Sequence, residues 1–343
     1  EGDMRRISLA AIAALSILIA FSACSKTDDL STPEKVYVSI LFTPEGFCNI
    51  GYNDITLKAI EALSHKYGYE YSFCVPKTIQ DGMDYYEAWR QSELEENERC
   101  LFVFASKVYE EHLAAASHSS EDSCKDILIF EVEKELPYAY TFAMSYYGAA
   151  YMIGKYFLSS ICIDFNVIAA NPYISGLNYV VDGFSAATEE LSSGNVKVTY
   201  LDDAPDGGLN DDDLAFTACK VLEYDSGNKN LYIPYAGVSN LGVYRFSQSN
   251  FRTAIGVDGT DPNLYSYILL SMNKRMDLAL DDFLNLWIKG EEPPRHRLYT
   301  LSSGRVVVDR ANDLSVISEL LDSIQDEAMI KEEEYFSKRA GNE

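Results

Sequence analysis

Ala254-Ile-Gly-Val-Asp-Gly-Thr-Asp261, followed by Tyr267-Ile-Leu-Leu-Ser-Met-Asn-Lys-Arg-Met-Asp277, is the stretch whose reading decides the architecture. An apolar run ends in a Gly- and Asp-rich turn, a second apolar run returns, and a helix is expected to open around Ser271–Lys274. A strand that delivers a carboxylate to a loop at its carboxyl end is how open α/β sheets present ligand-contacting groups. Ser271 and Lys274 would put a hydroxyl and an ammonium near the expected helix start, where polar ligand atoms are favoured. Taken alone, the stretch reads strand, polar turn, strand, helix.

Upstream, the same rhythm recurs. Val36–Phe42, Tyr69–Val75, Cys100–Ala105 and Asp126–Glu131 are β-rich apolar runs, separated by helical spacings such as Ile55, Leu57, Ile60 and Leu63. Further helices are expected over Tyr85–Leu94 and Val108–Ala116. Strands alternating with helices indicate βαβ units and parallel sheets. After Pro137 the pattern restarts. A helix is expected over Ala143–Ser159, then strands at Asn166–Ala170, Val196–Leu201 and Asn230–Tyr235, with helices at Asn178–Leu191, Leu214–Leu222 and Gly242–Ser249. Met276–Lys289 reads as a helix, Pro293-Pro294 as a break, Gly304–Val308 as a short strand, and Leu314 to about Lys331 as a last helix. Two successive α/β blocks, breaking near residues 138–142, give a two-lobed α/β architecture. The expected lobes are 36–140 plus about 260–292, and 141–259 plus about 293–335.

Composition narrows the function classes. The 343 residues carry a formal net charge of −25 and are 47% apolar, which fits a globular chain with a proper core. Nucleic acid is disfavoured as a partner, because binding it takes many basic contacts. None of the six cysteines besides Cys24 forms a C-x-x-C pair, and those in apolar settings (Phe73-Cys74-Val75, Ile161-Cys162-Ile163) read as buried thiols. Their pairing in an oxidising compartment is open. The four histidines form no metal-spaced pair, and neither a Walker loop nor G-x-G-x-x-G is present. Gly183-Phe-Ser-Ala-Ala187 lacks the second Gly of a nucleophile elbow. No enzyme activity, metal or cofactor is expected.

At the N-terminus, Arg5 and Arg6 precede an apolar run over Ile7–Phe21 and then Ser22-Ala23-Cys24. This reads as a secretory signal. Cys directly after Ser-Ala resembles a bacterial lipoprotein signal, with 1–23 removed and Cys24 lipidated by acyl (palmitate) chains; ordinary signal cleavage and an uncleaved anchor are the other readings. Residues 24–35 are short and polar, a tether between anchor and folded body. The expected location is the cell envelope, facing periplasm or exterior.

Four places resemble the basic membrane protein or purine nucleoside receptor group, substrate-binding lipoproteins of ABC importers with a type I periplasmic-binding fold. They are Gly46-Phe-Cys-Asn-Ile-Gly-Tyr-Asn53, Tyr151-Met-Ile-Gly154, Tyr235-Ala-Gly-Val-Ser-Asn-Leu-Gly-Val243, and Ile255-Gly-Val-Asp258 with Ser271-Met-Asn-Lys274. They fall in the family's order across roughly residues 36 to 330. The chain departs from the family just after the first strand, where Thr43-Pro44 replaces an Asp that contacts the base, and at Cys48-Asn49, which replaces an acidic pair.

The resemblance implies a ligand gripped between lobes by stacking and convergent hydrogen bonds. Tyr52 would stack on a planar ring, with Asn53 as paired donor and acceptor; the plainer reading packs Tyr52 on a helix end and makes Asn53 its cap. Phe47 would be a second wall. Asp258 would accept from vicinal hydroxyls, or else form an Asx turn. Lys274 would reach the same hydroxyls, or else be a solvated lysine. Gly237 would present backbone atoms where a side chain would collide, or simply turn the chain. Asp202-Asp-Ala-Pro-Asp-Gly, with Asp213, faintly resembles an EF-hand loop but reads as a surface acidic loop. Glu332–Glu334 reads as the solvated end of the last helix.

The expected function is a lipid-anchored solute-binding protein that closes on a nucleoside-like molecule and delivers it to an ABC permease. The alternatives are an interaction lipoprotein on the same scaffold without an uptake role, and a sugar-binding relative.

Overall fold

The computed structural model describes residues 35–94, 97–115, 124–226, 229–312 and 318–341. The signal, the tether and Cys24 lie outside the described residues. Among the described residues, no helix is long and apolar enough to cross a membrane.

The first block runs β1 (Lys35–Leu41), α1 (Tyr52–Tyr67), β2 (Glu70–Cys74), α2 (Ile79–Gln91), β3 (Glu98–Phe104), α3 (Glu110–Ala115), β4 (Lys125–Phe130) and β5 (Tyr140–Met144). The second runs α4 (Tyr147–Leu158), β6 (Asp164–Ala169), α5 (Leu177–Leu191), β7 (Val196–Tyr200), α6 (Asp212–Ser226), β8 (Asn230–Tyr235), α7 (Asn240–Asn250), β9 (Ala254–Val257) and β10 (Ile268–Lys274). The chain then returns through α8 (Met276–Ile288) and β11 (His296–Tyr299), and finishes with β12 (Val306–Arg310) and α9 (Ser318–Ala340).

Two six-stranded sheets result, ordered β11-β5-β4-β3-β1-β2 and β12-β10-β9-β8-β6-β7. Every pairing in them is parallel except β10 with β12. Parallel strands covered on both faces read as apolar runs. In β3, Leu101 and Val103 face one core cluster with Ile60 and Leu280, while Phe102 and Phe104 face another with Met83, Tyr86 and Tyr109. Helices α1 and α8 thus cover one face of the first sheet, and α2 the other.

Helix α1 starts at Gly51 because the Asp54 carboxylate accepts from the Gly51 and Cys48 amides at 3.1 and 3.0 Å. Asp54, not Asn53, is therefore the capping side chain. The helix stops at Gly68, where φ is 77°.

Five expectations are corrected. Ile268–Lys274 pairs with β9, so it belongs to the second sheet rather than to a first-lobe segment at 260–292, and Ser271–Lys274 end a strand instead of opening a helix. His296–Tyr299 pairs with β5, which puts part of the expected second-lobe segment at 293–335 into the first sheet. Tyr140–Met144 is a strand buried throughout, and the expected helix begins only at Tyr147. Its aromatic and β-branched side chains pack between β4 and β11, which favours strand. Finally, Cys162 and Ile161 are exposed, whereas Cys100 and Cys219 are the buried thiols.

The chain crosses between sheets after β5, after β10 and after β11. The crossings are laced together: Ser145 N–H donates to Tyr299 O at 2.8 Å, and Arg275 N–H to Arg305 O at 2.7 Å.

Candidate functional site

Parallel strands point their carboxyl ends the same way, and in this chain those ends face a cavity of about 1860 Å³ between the sheets. Thr43–Glu45 follow β1, Glu131 follows β4, Asn171–Leu177 follow β6, Tyr235–Gly237 end and follow β8, Asp258 follows β9, and Lys274 ends β10; all line the cavity. Its volume exceeds that of an ordinary small-ligand pocket, roughly 300–1000 Å³.

Lys274 is the centre of the arrangement. Its ammonium is buried and lies 2.9 Å from Glu131 Oε1. The same carboxylate oxygen accepts the Tyr52 hydroxyl at 2.9 Å. Lys274 Nζ also sits 5.0 Å from the centre of the Tyr52 ring and 5.1 Å from that of Tyr146, within cation–π range. Burial alone would depress the Lys274 pKa, but the Glu131 and Asp258 carboxylates, with the hydrogen bond to Glu131, outweigh it and push it up. It stays a cation.

Asp258 Oδ1 accepts the Tyr146 hydroxyl at 2.7 Å. Burial, reinforced by Asp258, keeps the Tyr146 hydroxyl protonated; burial and Glu131 do the same for Tyr52. Both carboxylates sit where their strands end and both adopt positive φ, 61° at Glu131 and 49° at Asp258. For a non-glycine residue that conformation costs free energy, and such costs gather at functional sites. The Asp258 turn is braced by Asn273 Oδ1, which accepts the Gly259 amide at 2.8 Å.

Glu45 is half-buried in the loop after β1. Burial pushes its carboxyl up to about 7; the Thr43 hydroxyl opposes this and Asp258 adds to it. A Cβ on Gly237 would lie 3.1 Å from Leu209 O and 3.3 Å from Glu45 Oε2, so glycine is what lets the two loops approach. Gly237 has φ 59°, a second reason for glycine there.

The structure therefore brings Tyr52, Asn53, Gly237, Asp258 and Lys274 to one cavity. Asn53 lines it while spending its amide on Thr43 Oγ1 and Gly46 O, at 3.0 and 2.8 Å, so it also fixes the first loop. Phe47 is not brought in. It lies outside the lining, edge-on to Phe42 and Phe73 at centroid distances of 5.1 and 6.1 Å, in a partly exposed aromatic cluster.

Sequence reasoning missed Glu45, Glu131, Tyr146 and Tyr235. Tyr235 stood inside a quoted motif and Glu131 closed a quoted strand. The rule that strand ends carry ligand groups would have nominated both. Tyr146 was hidden by the expected helix, and Glu45 by attention to Thr43-Pro44. Among the described residues, no group of three or more His, Cys, Asp and Glu is arranged to hold a metal ion.

Comparison with protein-family models finds no match, and comparison with curated proteins finds none either. Solved structures do match. A solute-binding protein of an ABC transporter system from Aeropyrum pernix K1 superposes with a TM-score of 0.66 at 14% identity, covering 87% of this chain and 86% of its own. A transcriptional activator of the comK gene from Bacillus halodurans gives 0.63 at 17%, covering 85% and 96%. The glucose-galactose binding protein GanP from Geobacillus stearothermophilus gives 0.57 at 12%, covering 82% and 100%. Identities this low show the fold. The chain has the two-lobed α/β architecture of type I periplasmic binding proteins.

Proposed function

We propose that the protein is an extracytoplasmic solute-binding protein that closes its two lobes over a small, uncharged, hydroxyl-bearing molecule and hands it to an ABC importer. Supporting this is one observation above all: groups from both sheets converge at the strand ends on a single cavity, with a buried lysine, two carboxylates and three tyrosines set around it. Several structures sharing the fold are described as sugar-binding or solute-binding proteins, among them one from Agrobacterium vitis bound to α-D-tagatopyranose. Such a site binds by convergent hydrogen bonds and aromatic walls.

Within that reading, a nucleoside-like ligand fits best. Asp258 keeps acceptor capacity for a pair of vicinal hydroxyls beyond its bond to Tyr146, because a carboxylate accepts on both oxygens. Tyr52 and Tyr235 offer aromatic surface to a planar ring. The lining holds nine carboxylates against four lysines, and the deepest lysine is already paired with Glu131. An anionic ligand would meet uncompensated negative charge, so a nucleoside is favoured over a nucleotide. Anchoring through Cys24 belongs to the same proposal.

A thermal-denaturation panel of nucleosides, free bases and sugars tests it, since any ligand that binds only the native state stabilises by mass action, about 2.7 kcal/mol at a hundredfold excess over Kd. Nucleosides should raise Tm most. No shift with any member of the panel would remove the solute-binding reading; a shift with sugars alone would replace nucleoside by sugar.

A further inference from the structure

The loop after β4 in the first lobe is gripped from the second lobe at several points. Lys274 holds the Glu131 carboxylate. Ser175, just before α5, donates its hydroxyl to the Glu131 carbonyl oxygen at 2.9 Å. Tyr179, in the first turn of α5, donates its hydroxyl to Glu133 Oε2 at 2.6 Å. Helix α9 packs the buried Tyr179 ring from behind, with the Phe336 ring edge-on at 5.5 Å and the Arg339 guanidinium 5.5 Å from the ring centre. Helix α9 is itself tied to α5 and α4. The Tyr335 hydroxyl donates to Asp182 Oδ2 at 2.6 Å. Glu332, where the sequence suggests a solvated helix end, is 1% exposed and accepts the Gly148 amide at 3.1 Å. The Tyr179 ring therefore belongs to the second lobe, and its hydroxyl is the part that reaches the first.

We propose that Ser175 and Tyr179 are positioning residues of the cleft: their bonds to Glu131 and Glu133 form a clasp that sets ligand affinity through the balance of closed and open lobes. The inference rests on the solute-binding reading, since a clasp matters to a ligand only when the ligand sits between the lobes. Ser175 lines the cavity and Tyr179 stands one helical turn further along α5, so parting the lobes there breaks both bonds. Burial, reinforced by the bond to Glu133, keeps the Tyr179 hydroxyl protonated, the form that donates. Beside α1 the lobes meet in a different way, by close approach. A Cβ on Gly237 would lie 3.3 Å from Glu45 Oε2, and one on Gly259 would lie 2.3 Å from Ile55 Cγ2. Steric contact limits closing, whereas a hydrogen bond resists opening. Because the closed fraction is the form that binds tightly, apparent affinity falls as that fraction falls.

Small-angle scattering of the ligand-free chain tests the clasp directly. The double variant Ser175→Ala with Tyr179→Phe should have a larger radius of gyration than the wild type. Glu133→Ala, at a half-buried loop position, should enlarge it as well, and adding Tyr179→Phe to Glu133→Ala should add nothing, because the two changes remove one bond. With adenosine as the probe, the double variant should bind at least about threefold more weakly, with the loss in a faster dissociation rate. A role in folding alone would lower Tm and leave both the radius and the dissociation rate of the folded chain where they are. A radius that neither Glu133→Ala nor the double variant changes would overturn the clasp, even if the wild type binds adenosine. No binding of any nucleoside, base or sugar by the wild type would instead overturn the solute-binding reading beneath it. Glu133→Ala decides the matter if the double variant fails to fold.

Discussion

Lys274 is held in the cleft as one half of a buried ion pair. Its ammonium is enclosed by Glu131, Tyr52 and Tyr146, and an ion pair taken out of water is costly to break because the remaining partner is left buried and uncompensated. Lys274→Met should cost about 3–5 kcal/mol in denaturant unfolding, and adding Glu131→Gln should recover part of that loss. Equal stabilities for the single and double variants would show that the pair is not the cause. Glu45 makes a prediction of opposite sense. Its carboxyl titrates near 7 in the folded chain against 4.5 ordinarily, so its contribution favours the fold at low pH and is lost as pH rises through about 7. Glu45→Gln should therefore raise Tm at pH 8 and leave it nearly unchanged at pH 5. At this scale the sequence made Asp258 and Lys274 legible, because both fall beside apolar strand runs. Glu131 and Tyr146 were not legible, since what joins them to the site is a hydrogen bond spanning 79 residues to Tyr52 in one case and 112 residues to Asp258 in the other.

Helices α4 and α5 pack against each other beside the second sheet. They pack so closely that a Cβ on Gly183 would lie 2.4 Å from Tyr147 O and 2.8 Å from Ala150 Cβ. Gly183→Ala should destabilise by about 1–3 kcal/mol, the usual cost of overpacking, although alanine is the better helix former by about 1 kcal/mol. A neutral or stabilising result in thermal unfolding would mean the two helices separate readily. The same pairing accounts for two stretches the sequence quoted for other reasons: Tyr151-Met-Ile-Gly154 places Gly154 against Phe184 and Ala187, and Gly183-Phe-Ser-Ala-Ala187 is their packing partner rather than a nucleophile turn. Strands were read well where apolar runs were long. They were misread at β5, β10 and β11, where the chain passes from one sheet to the other. Periodicity reports burial on a face, but it does not say which of two sheets supplies the neighbour.

The whole molecule is two α/β lobes joined by laced crossings, with the strand ends of both turned toward one cleft. Net charge of −25 and the acidic lining set the long-range field against anions. Adenosine 5′-phosphate should accordingly bind at least about tenfold more weakly than adenosine, a difference of about 1.4 kcal/mol; equal affinities would assign the lining charges no part in selection. The central claim, that the cleft binds a solute, is tested most directly by calorimetric titration of the folded chain with nucleosides, bases and sugars, in parallel with Asp258→Ala. The account predicts saturable binding of one nucleoside per chain, weakened at least about tenfold in Asp258→Ala. No saturable binding of any nucleoside, base or sugar, or binding that Asp258→Ala leaves untouched, would contradict it.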